Sequence, residues 1–279
     1  MASDPSSHYI GPMNAPHQDS LLLTARNGAV LRISLNRPQA RNALSSALMG
    51  ALATELEAAA ADTSVRVVIL AAEGNVYSSG HDLKEMNARR AEGDKGAAAF
   101  AALFHQCSAL MQQIVALPKP VIAEIQGTAT AAGCQLVASC DLAVASEAAR
   151  FATPGVDIGL FCSTPMVALS RSIGRKLAME MLLTGEPVSA NDARRMGLVN
   201  RVIAPVALKS ETMALAQKIA TKPRATVRTG KEAFYRQIEM PLQEAYDYAS
   251  RVMTDNMLNA EAEEGVCAFL EKRSPKWPQ

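Results

Sequence analysis

Short runs of apolar residues at the start of the chain predict β-structure. Leu21–Arg26 and Ala29–Leu35 are strand-like, and Asn27-Gly28 between them is typical of a two-residue type I′ hairpin turn. The domain is therefore expected to open with a β-hairpin.

Helical and strand-like patterns alternate after this hairpin. Leu44–Ala61 is rich in Ala, Leu and Glu, with Ser45 and Ser46 available as N-caps, and it predicts a helix. The β-branched run Val65–Leu70 is typical of a buried strand. Further along, the pattern predicts strands at 120–125 and 141–145, with a helix running through Cys140 between them.

The longest stretch without a charged residue, 96–118, is long enough to raise the question of a membrane span. Its apolar residues recur every three or four positions from Phe100 to Ile114, and glutamines such as Gln106 and Gln112 lie between them. That period places the apolar side chains on one face of a helix. The segment is therefore expected to be an amphipathic helix of a soluble protein, and no membrane is expected as a partner.

Beyond Thr164 the pattern is nearly continuous helix. The predicted helices span residues 164–174, 175–184, 189–196, 206–221, 223–238, 241–258 and 260–272. Strands alternating with helices first, and helices alone later, predict an α/β core over residues 21–205 followed by a helical region over residues 206–279. Residues 1–20, which contain Ser, Pro and His, are expected to form a disordered tail.

Composition narrows the classes of function. The 279 residues are 49% hydrophobic and 20% charged, as in an ordinary soluble globular protein. Because 28 Lys and Arg face 27 Asp and Glu, bulk charge gives no reason to expect nucleic acid. Only 4% of residues are aromatic, so few side chains are available for base stacking. Nucleic acid is therefore not an expected partner.

The five cysteines are an odd number and include no C-x-x-C pair. Neither a disulfide framework nor a zinc site is predicted, and no metal is expected. A reducing compartment fits this usage. Since the first twenty residues contain no Arg, no Lys and no apolar segment of a signal peptide, a cytoplasmic location is expected.

Two loops of small residues stand where a strand gives way to a helix. The first, Tyr77–Leu83, is called here the His81 loop, and the second, Gly127–Cys134, the Ala132 loop. A turn of this kind leaves the first N–H groups of the helix unpaired at the positive end of its dipole, which suits an oxyanion or a phosphate. Either loop taken alone is better explained as a close-packed turn that needs small residues.

Four separated motifs, taken together, are more specific. They are Leu35–Ser45, Ser79–Met86, Ala131–Asp141 and Glu264–Arg273. In this order they resemble the crotonase (enoyl-CoA hydratase/isomerase) superfamily, and the likeness spans residues 21–273. Residues 79–82, 132–141 and 159–165 point to one subgroup of that superfamily.

The resemblance implies a crotonase fold of stacked ββα turns and a site for an acyl-CoA thioester, with no further cofactor. It implies that the thioester oxygen accepts hydrogen bonds from the backbone N–H groups of His81 and Ala132. Fixed amides aimed at an enolate-like oxyanion stabilise its charge, and one donor contributes about 3 kcal/mol. The residues implied to contact the CoA moiety are Ala40, Arg41, Asp82, Leu83, Lys84 and Lys272.

The chain departs from the superfamily at two positions. Its hydratases carry two glutamates, and the corresponding residues here are Gln135 and Gly155. Glutamine cannot take a proton near neutral pH and glycine has no side chain, so a general acid–base contribution of about 10²- to 10⁴-fold is lost at each position. Ordinary hydration is therefore doubtful, and Gln135→Glu together with Gly155→Glu is expected to raise it.

Other polar groups near these motifs have plainer explanations. Glu124 and Asp157 are explained as a strand-edge and a loop carboxylate, and Cys134 and Cys162 as small buried hydrophobes. The imidazole of His81 is a candidate base because its ordinary pKa lies near neutrality, but a histidine that packs in a loop is the more frequent case.

Two hypotheses about function follow. The first is an enzyme that acts on an acyl-CoA through the oxyanion hole, by hydration or by decarboxylation or thioester hydrolysis; the second is a non-catalytic acyl-CoA-binding protein. The superfamily likeness implies a homotrimer or a dimer of trimers. An apolar stripe on one late helix agrees with it, although packing within one chain explains the stripe equally well: Leu242, Ala245, Ala249, Val252 and Met253.

Overall fold

The computed structural model describes residues 20–278, so the predicted tail lies outside the described residues except for its last one. The strands are β1 (Leu22–Asn27), β2 (Val30–Leu35), β3 (Val67–Ala72), β4 (Val76–Ser78), β5 (Val121–Ile125), β6 (Thr128–Thr130), β7 (Leu142–Ser146), β8 (Arg150–Ala152), β9 (Val188–Ser189) and β10 (Arg201–Ile203). The helices are α1 (Ser46–Ala61), α2 (Leu83–Arg89), α3 (Ala97–Ala116), α4 (Ala132–Ser139), α5 (Ser163–Ser172), α6 (Arg175–Thr184), α7 (Ala190–Met196), α8 (Leu208–Ala220), α9 (Arg224–Gln237), α10 (Leu242–Met257) and α11 (Ala260–Leu270).

The strands form two sheets, which confirms the predicted α/β class. The larger sheet has the order β1-β2-β3-β5-β7-β10, with the β1–β2 hairpin antiparallel and every other pair parallel. The smaller sheet has the order β4-β6-β8-β9. Since β4 follows β3 and β6 follows β5, the chain passes from the large sheet to the small one before each of the two loops.

The hairpin forms as predicted, but its turn is of another type. Asn27 pairs with Val30, so the two turn residues are Gly28 and Ala29. Gly28 has φ +55°, and Ala29 is not among the residues with positive φ. A type I′ turn requires positive φ at both central residues, whereas a type II′ turn requires it only at the first. The prediction of a type I′ turn was therefore wrong.

The main core lies between the larger sheet and helices α1, α3 and α4. Ser45 caps α1 as predicted, its side chain accepting the N–H of Leu48 at 3.2 Å. The predicted apolar face of α3 is buried at Leu103, Cys107, Leu110, Met111 and Ile114. The opposite face of the sheet is covered by α8. No helix between residues 20 and 278 is both long and apolar enough to cross a bilayer.

A buried ammonium group ties α9 to the core. Lys231 donates hydrogen bonds from Nζ to the carbonyls of Ile114 and Lys119 at 3.0 Å and to Oδ2 of Asp141 at 2.8 Å. Its side chain is only 7% exposed. The same Asp141 oxygen accepts the N–H of Val121 at 2.6 Å. One ion pair thus links α9 to the end of α3 and to the start of β5.

The N-terminus of α9 is capped from α11. Glu261, which is buried, accepts the N–H groups of Ala225 and Thr226 at 3.0 and 2.9 Å and the hydroxyl of Thr226 at 3.1 Å. Farther along, Nε1 of Trp277 donates to the carbonyl of Thr221 at the end of α8, at 3.0 Å. The last residues of the chain therefore complete the helical region that precedes them.

Candidate active site

The His81 loop and the Ala132 loop touch through their backbones. They leave the small sheet side by side because β4 and β6 pair in parallel. A Cβ atom at Gly80 would lie 3.2 Å from the nitrogen of Ala132, and one at Gly133 would overlap the carbonyl oxygen of Ser78. Only glycine permits this approach, and it brings His81 next to Ala132.

Both predicted oxyanion donors are unpaired. The N–H groups of His81 and Ala132 have no hydrogen-bond acceptor among residues 20–278. Ala132 is the first residue of α4, and the carbonyl of the preceding Ala131 accepts the N–H of Gln135 at 3.0 Å. Since a trans peptide directs its C=O and N–H in opposite directions, this bond points the Ala132 N–H away from the helix.

The residue before this amide has a strained backbone. Ala131 has φ +49° and ψ −119°, a conformation that residues other than glycine rarely adopt. Its own N–H donates to the carbonyl of Ala152 at 2.9 Å, so both peptides that flank it are held. Strain of about 1–3 kcal/mol persists only where the surroundings enforce it, and such residues cluster at functional sites.

The His81 loop is supported by Asp82 and Arg37. The Asp82 carboxylate caps α2 by accepting the N–H groups of Lys84 and Glu85 at 3.1 and 3.3 Å, and Arg37 lies 3.1 Å from its other oxygen. Burial alone would raise the pKa of Asp82, but the Glu85 amide and the Arg37 guanidinium hold it below its ordinary value. The carboxylate is therefore charged and fixed at neutral pH.

Sequence reasoning quoted Asn42 only as part of a motif and missed its role. Its side chain is fully buried and donates to the carbonyls of Glu73 and Val76 at 2.8 and 2.7 Å, while accepting the N–H of Arg37 at 2.8 Å. Asn42 thus holds the segment that contains Arg41 against the start of β4. An asparagine with φ +49° is a local feature that sequence alone does not reveal.

Five of the six residues implied to contact CoA surround the His81 loop. Arg41 is exposed, and its carbonyl accepts the N–H of Ser79 at 3.1 Å, with Ala40 half-buried beside it. Asp82, Leu83 and Lys84 form the start of α2, and the last two are exposed. Lys272 follows α11, whose neighbours in the fold are α9 and α10. Their contacts with CoA stay predictions.

Gln135 lies inside the site without a strong partner. It is 4% exposed, and its Oε1 lies 3.9 Å from Sγ of Cys107 on α3. Burial raises the pKa of Cys107 to about 12, so this thiol stays protonated at neutral pH. Neither side chain supplies the base that a glutamate at position 135 would provide.

Backbone and a thiol fill the space beside Gly155. A Cβ atom there would overlap the carbonyl oxygen of Leu160 and lie 2.8 Å from Sγ of Cys162. The segment folds back on itself because the N–H of Leu160 donates to the carbonyl of Gly155 at 2.8 Å. A glutamate at position 155 would therefore have to displace the Leu160 carbonyl and the Cys162 thiol, and the predicted gain in hydration depends on that movement.

We accordingly expect Gly155→Glu to destabilise the chain by about 1–3 kcal/mol through overpacking. Gly174→Glu is the matched control, since a Cβ at Gly174 meets nothing within 4 Å. Urea denaturation measures both variants. Gln135→Glu with Gly155→Glu should hydrate crotonyl-CoA no faster than Gln135→Glu alone; a faster double variant of undiminished stability would contradict this account.

The other candidate acid–base groups point elsewhere. Glu124 accepts a hydrogen bond from Arg32 at 2.6 Å, while its neighbours on β5, Ala123 and Ile125, face the main core, so Glu124 lies on the opposite side of the sheet. Asp157 is exposed, with Oδ2 3.0 Å from where a Cβ of Gly185 would lie. Among residues 20–278, no three His, Cys, Asp or Glu side chains gather as a metal site requires.

Comparison with known proteins identifies the family of this chain. The family model described as enoyl-CoA hydratase/isomerase matches residues 25–279. A Xenopus laevis protein, enoyl-CoA hydratase domain-containing protein 3, mitochondrial, is 47% identical over 271 residues, which are 97% of this chain and 90% of the relative. It bears the name of the subgroup to which the sequence runs pointed, and it confirms that resemblance.

Two solved structures share the fold closely. An enoyl-CoA hydratase from Mycobacterium smegmatis is 55% identical with a TM-score of 0.89, covering 93% of this chain and 99% of its own. Human enoyl-CoA hydratase domain-containing protein 3 is 46% identical with a TM-score of 0.88, covering 92% and 100%. Both likenesses cover more than nine-tenths of this chain.

The expected cytoplasmic location is wrong by this comparison, because the Xenopus relative is named a mitochondrial protein. The prediction rested on free cysteines and on the composition of the first twenty residues. Free thiols argue against an oxidising compartment but do not distinguish one reducing compartment from another.

Proposed function

Because the chain belongs to the enoyl-CoA hydratase/isomerase family, we propose that it binds an acyl-CoA thioester with the carbonyl oxygen between the N–H groups of His81 and Ala132. The observation that carries this proposal is the pair of unpaired amides on two loops in backbone contact. Negative charge that develops on the oxygen is stabilised there without reorganisation of the site. The proposed reaction therefore proceeds through an enolate of the bound thioester.

Hydration of an enoyl-CoA is expected to be slow. Water must be activated and a proton delivered, and the two positions that do so in hydratases of the superfamily hold the Gln135 amide and the closed space beside Gly155. Decarboxylation depends less on such groups, because loss of carbon dioxide itself forms the enolate. Thioester hydrolysis and acyl-CoA binding without turnover are the alternatives.

Calorimetry and a hydration assay on one sample test this proposal. We expect butyryl-CoA to bind while crotonyl-CoA hydration proceeds at a small fraction of the rate of a glutamate-containing hydratase measured in parallel, since each lost acid–base group accounts for about 10²- to 10⁴-fold. Absence of butyryl-CoA binding would refute the thioester site. Hydration as fast as in the reference enzyme would refute the role assigned to positions 135 and 155.

We also propose that the chain assembles as a trimer, alone or paired into a hexamer. None of the residues of α9 and α10 is fully buried, and Leu242 and Met253 of the predicted stripe are 75% and 63% exposed. Packing within one chain therefore leaves the apolar side chains of this stripe largely exposed. A row of exposed apolar side chains on one helix face is typical of an interface between protein chains.

Light scattering at micromolar concentration is expected to give a mass three or six times that of one chain. Leu242→Glu together with Met253→Glu should lower it, because two charges would be desolvated on association. Lys218→Glu, at an exposed position of α8, is the control. A monomeric mass for the unmodified chain would exclude the trimer.

A further inference from the structure

The imidazole of His81 makes no hydrogen bond of good geometry among residues 20–278, although the Leu44 carbonyl is close enough to raise its pKa. Both ring nitrogens are shielded from solvent, and neither meets a donor or acceptor with hydrogen-bond geometry among residues 20–278. The ring packs edge-to-face against Phe104 of α3, with the centroids 5.5 Å apart. Leaving a buried polar group unpaired costs about 1–3 kcal/mol. Such a group in a native structure calls for an explanation, and catalysis is one of those known.

The position of the His81 imidazole in its loop puts it near the proposed site of the thioester carbons. The backbone N–H of His81 is one of the two proposed thioester donors, and the imidazole is only a few covalent bonds from that nitrogen. On α3, Phe104 contacts the ring and Cys107, one turn further along the same face, lies beside Gln135. The imidazole and the Gln135 amide therefore lie along one wall of the site, and the α-carbon of a bound thioester is adjacent to the carbonyl that the amides hold.

The imidazole of His81 is uncharged at neutral pH, which is the state in which an imidazole accepts a proton. Burial lowers the pKa of His81, and the Leu44 carbonyl and the Glu85 carboxylate of α2 offset this only in part. The other charges nearby are engaged, since Glu85 accepts the N–H of Ser46 and Asp82 pairs with Arg37. From α3 the ring meets Phe104, which does not titrate. The imidazole is therefore neutral at neutral pH and keeps one nitrogen free to accept a proton.

No other described group near the loops matches this state. Burial raises the pKa of the Cys134 thiol to about 12 and that of Cys162 above its ordinary value. Burial likewise raises the pKa of Tyr77, so its phenol stays protonated. Glu124 is paired with Arg32. Of these groups, the His81 imidazole alone is both unprotonated at neutral pH and without an ion-pair or hydrogen-bond partner of good geometry among the described residues.

We propose that the imidazole of His81 removes a proton from the α-carbon of the bound acyl-CoA. The C–H bond breaks, an N–H bond forms on the ring, and the electron pair moves to the thioester oxygen as an enolate held by the His81 and Ala132 amides. In D₂O the proton on the ring exchanges with a solvent deuteron, and return of that deuteron to the α-carbon regenerates the acyl-CoA with deuterium in place of an α-hydrogen. The inference rests on the proposed thioester site and assigns that site its base.

Proton NMR of butyryl-CoA in D₂O tests the step, because a saturated acyl group cannot be hydrated. The unmodified chain is expected to exchange the α-hydrogens faster than buffer does, and His81→Gln, which keeps the backbone N–H, to slow this by about 10²- to 10⁴-fold. His81→Ala should behave alike. His105→Ala, an exposed histidine on α3, is the matched control and should leave exchange unchanged.

Calorimetric binding of butyryl-CoA on the same samples separates the two proposals. Binding without exchange above buffer in the unmodified chain would overturn the role of His81 and leave the thioester site standing, whereas absence of binding would overturn the site itself. Exchange should also fall as pH falls through the lowered pKa of His81, since a protonated ring cannot accept a proton. A pH profile without this fall, or His81→Gln exchanging at the full rate, would equally overturn the inference.

Discussion

Replacing Gly133 by alanine is expected to reduce butyryl-CoA affinity and α-hydrogen exchange strongly. The new Cβ would overlap the Ser78 carbonyl oxygen and lie 2.8 Å from the Ser78 side chain, so the His81 loop and the Ala132 loop must separate. The two amides would then no longer converge on one oxygen. Loss of one oxyanion donor costs about 10²- to 10³-fold in rate, which is the decrease we expect in exchange.

Gly230→Ala is the control for this experiment, because Gly230 lies inside α9 and a Cβ there meets nothing within 4 Å. Alanine in a helix interior is about 1 kcal/mol more favourable than glycine, so this variant should be slightly more stable with unchanged affinity. Calorimetry, the deuterium exchange assay and urea denaturation are applied to both. A Gly133→Ala chain that binds and exchanges like the parent would show that backbone contact between the loops is not required.

Replacing Lys231 by methionine is expected to lower the free energy of unfolding by about 3–5 kcal/mol, the usual cost of breaking a buried ion pair from one side. The variant leaves the Asp141 carboxylate and the carbonyls of Ile114 and Lys119 without the ammonium that they share. Urea denaturation followed by circular dichroism measures the change.

Two further variants decide whether the ion pair is responsible. Lys218→Met removes an exposed lysine from α8 and should change stability by less than about 0.5 kcal/mol. Lys231→Met with Asp141→Asn removes both charges and should recover part of the loss, because no unpaired charge is then buried. Equal stability of Lys231→Met and the parent would mean that α9 is held by other contacts.

The larger sheet and most helices could be predicted because their side chains follow one period over many residues. The apolar face of α3 and the buried run of β3 needed no knowledge of their partners. The sequence pattern could not predict that the chain passes back and forth between the two sheets. β6 is three residues, Thr128–Thr130, and β9 is two, so their strand conformation exists only through pairing with distant segments.

The residues of the site divide in the same way. Motifs predict His81, Ala132, Gln135 and Gly155 as site residues, and the structure adds what surrounds them. The left-handed backbone of Ala131 and the occupation of the space beside Gly155 arise from tertiary packing that no local pattern encodes. Sequence therefore indicated the two missing carboxylates, while the fold showed which atoms occupy the space that one of them would need.

The capping of α9 by Glu261 has a consequence for the order in which the protein is made. A growing chain folds from its N-terminus as it leaves the ribosome. When α9 emerges, the carboxylate that satisfies the N–H groups of Ala225 and Thr226 has not yet left the exit tunnel. The α/β core can close during synthesis, but the N-terminus of the helix that carries Lys231 lacks its cap until Glu261 has emerged. Completion of the α9 N-terminus is therefore expected to wait until α11 has been synthesised.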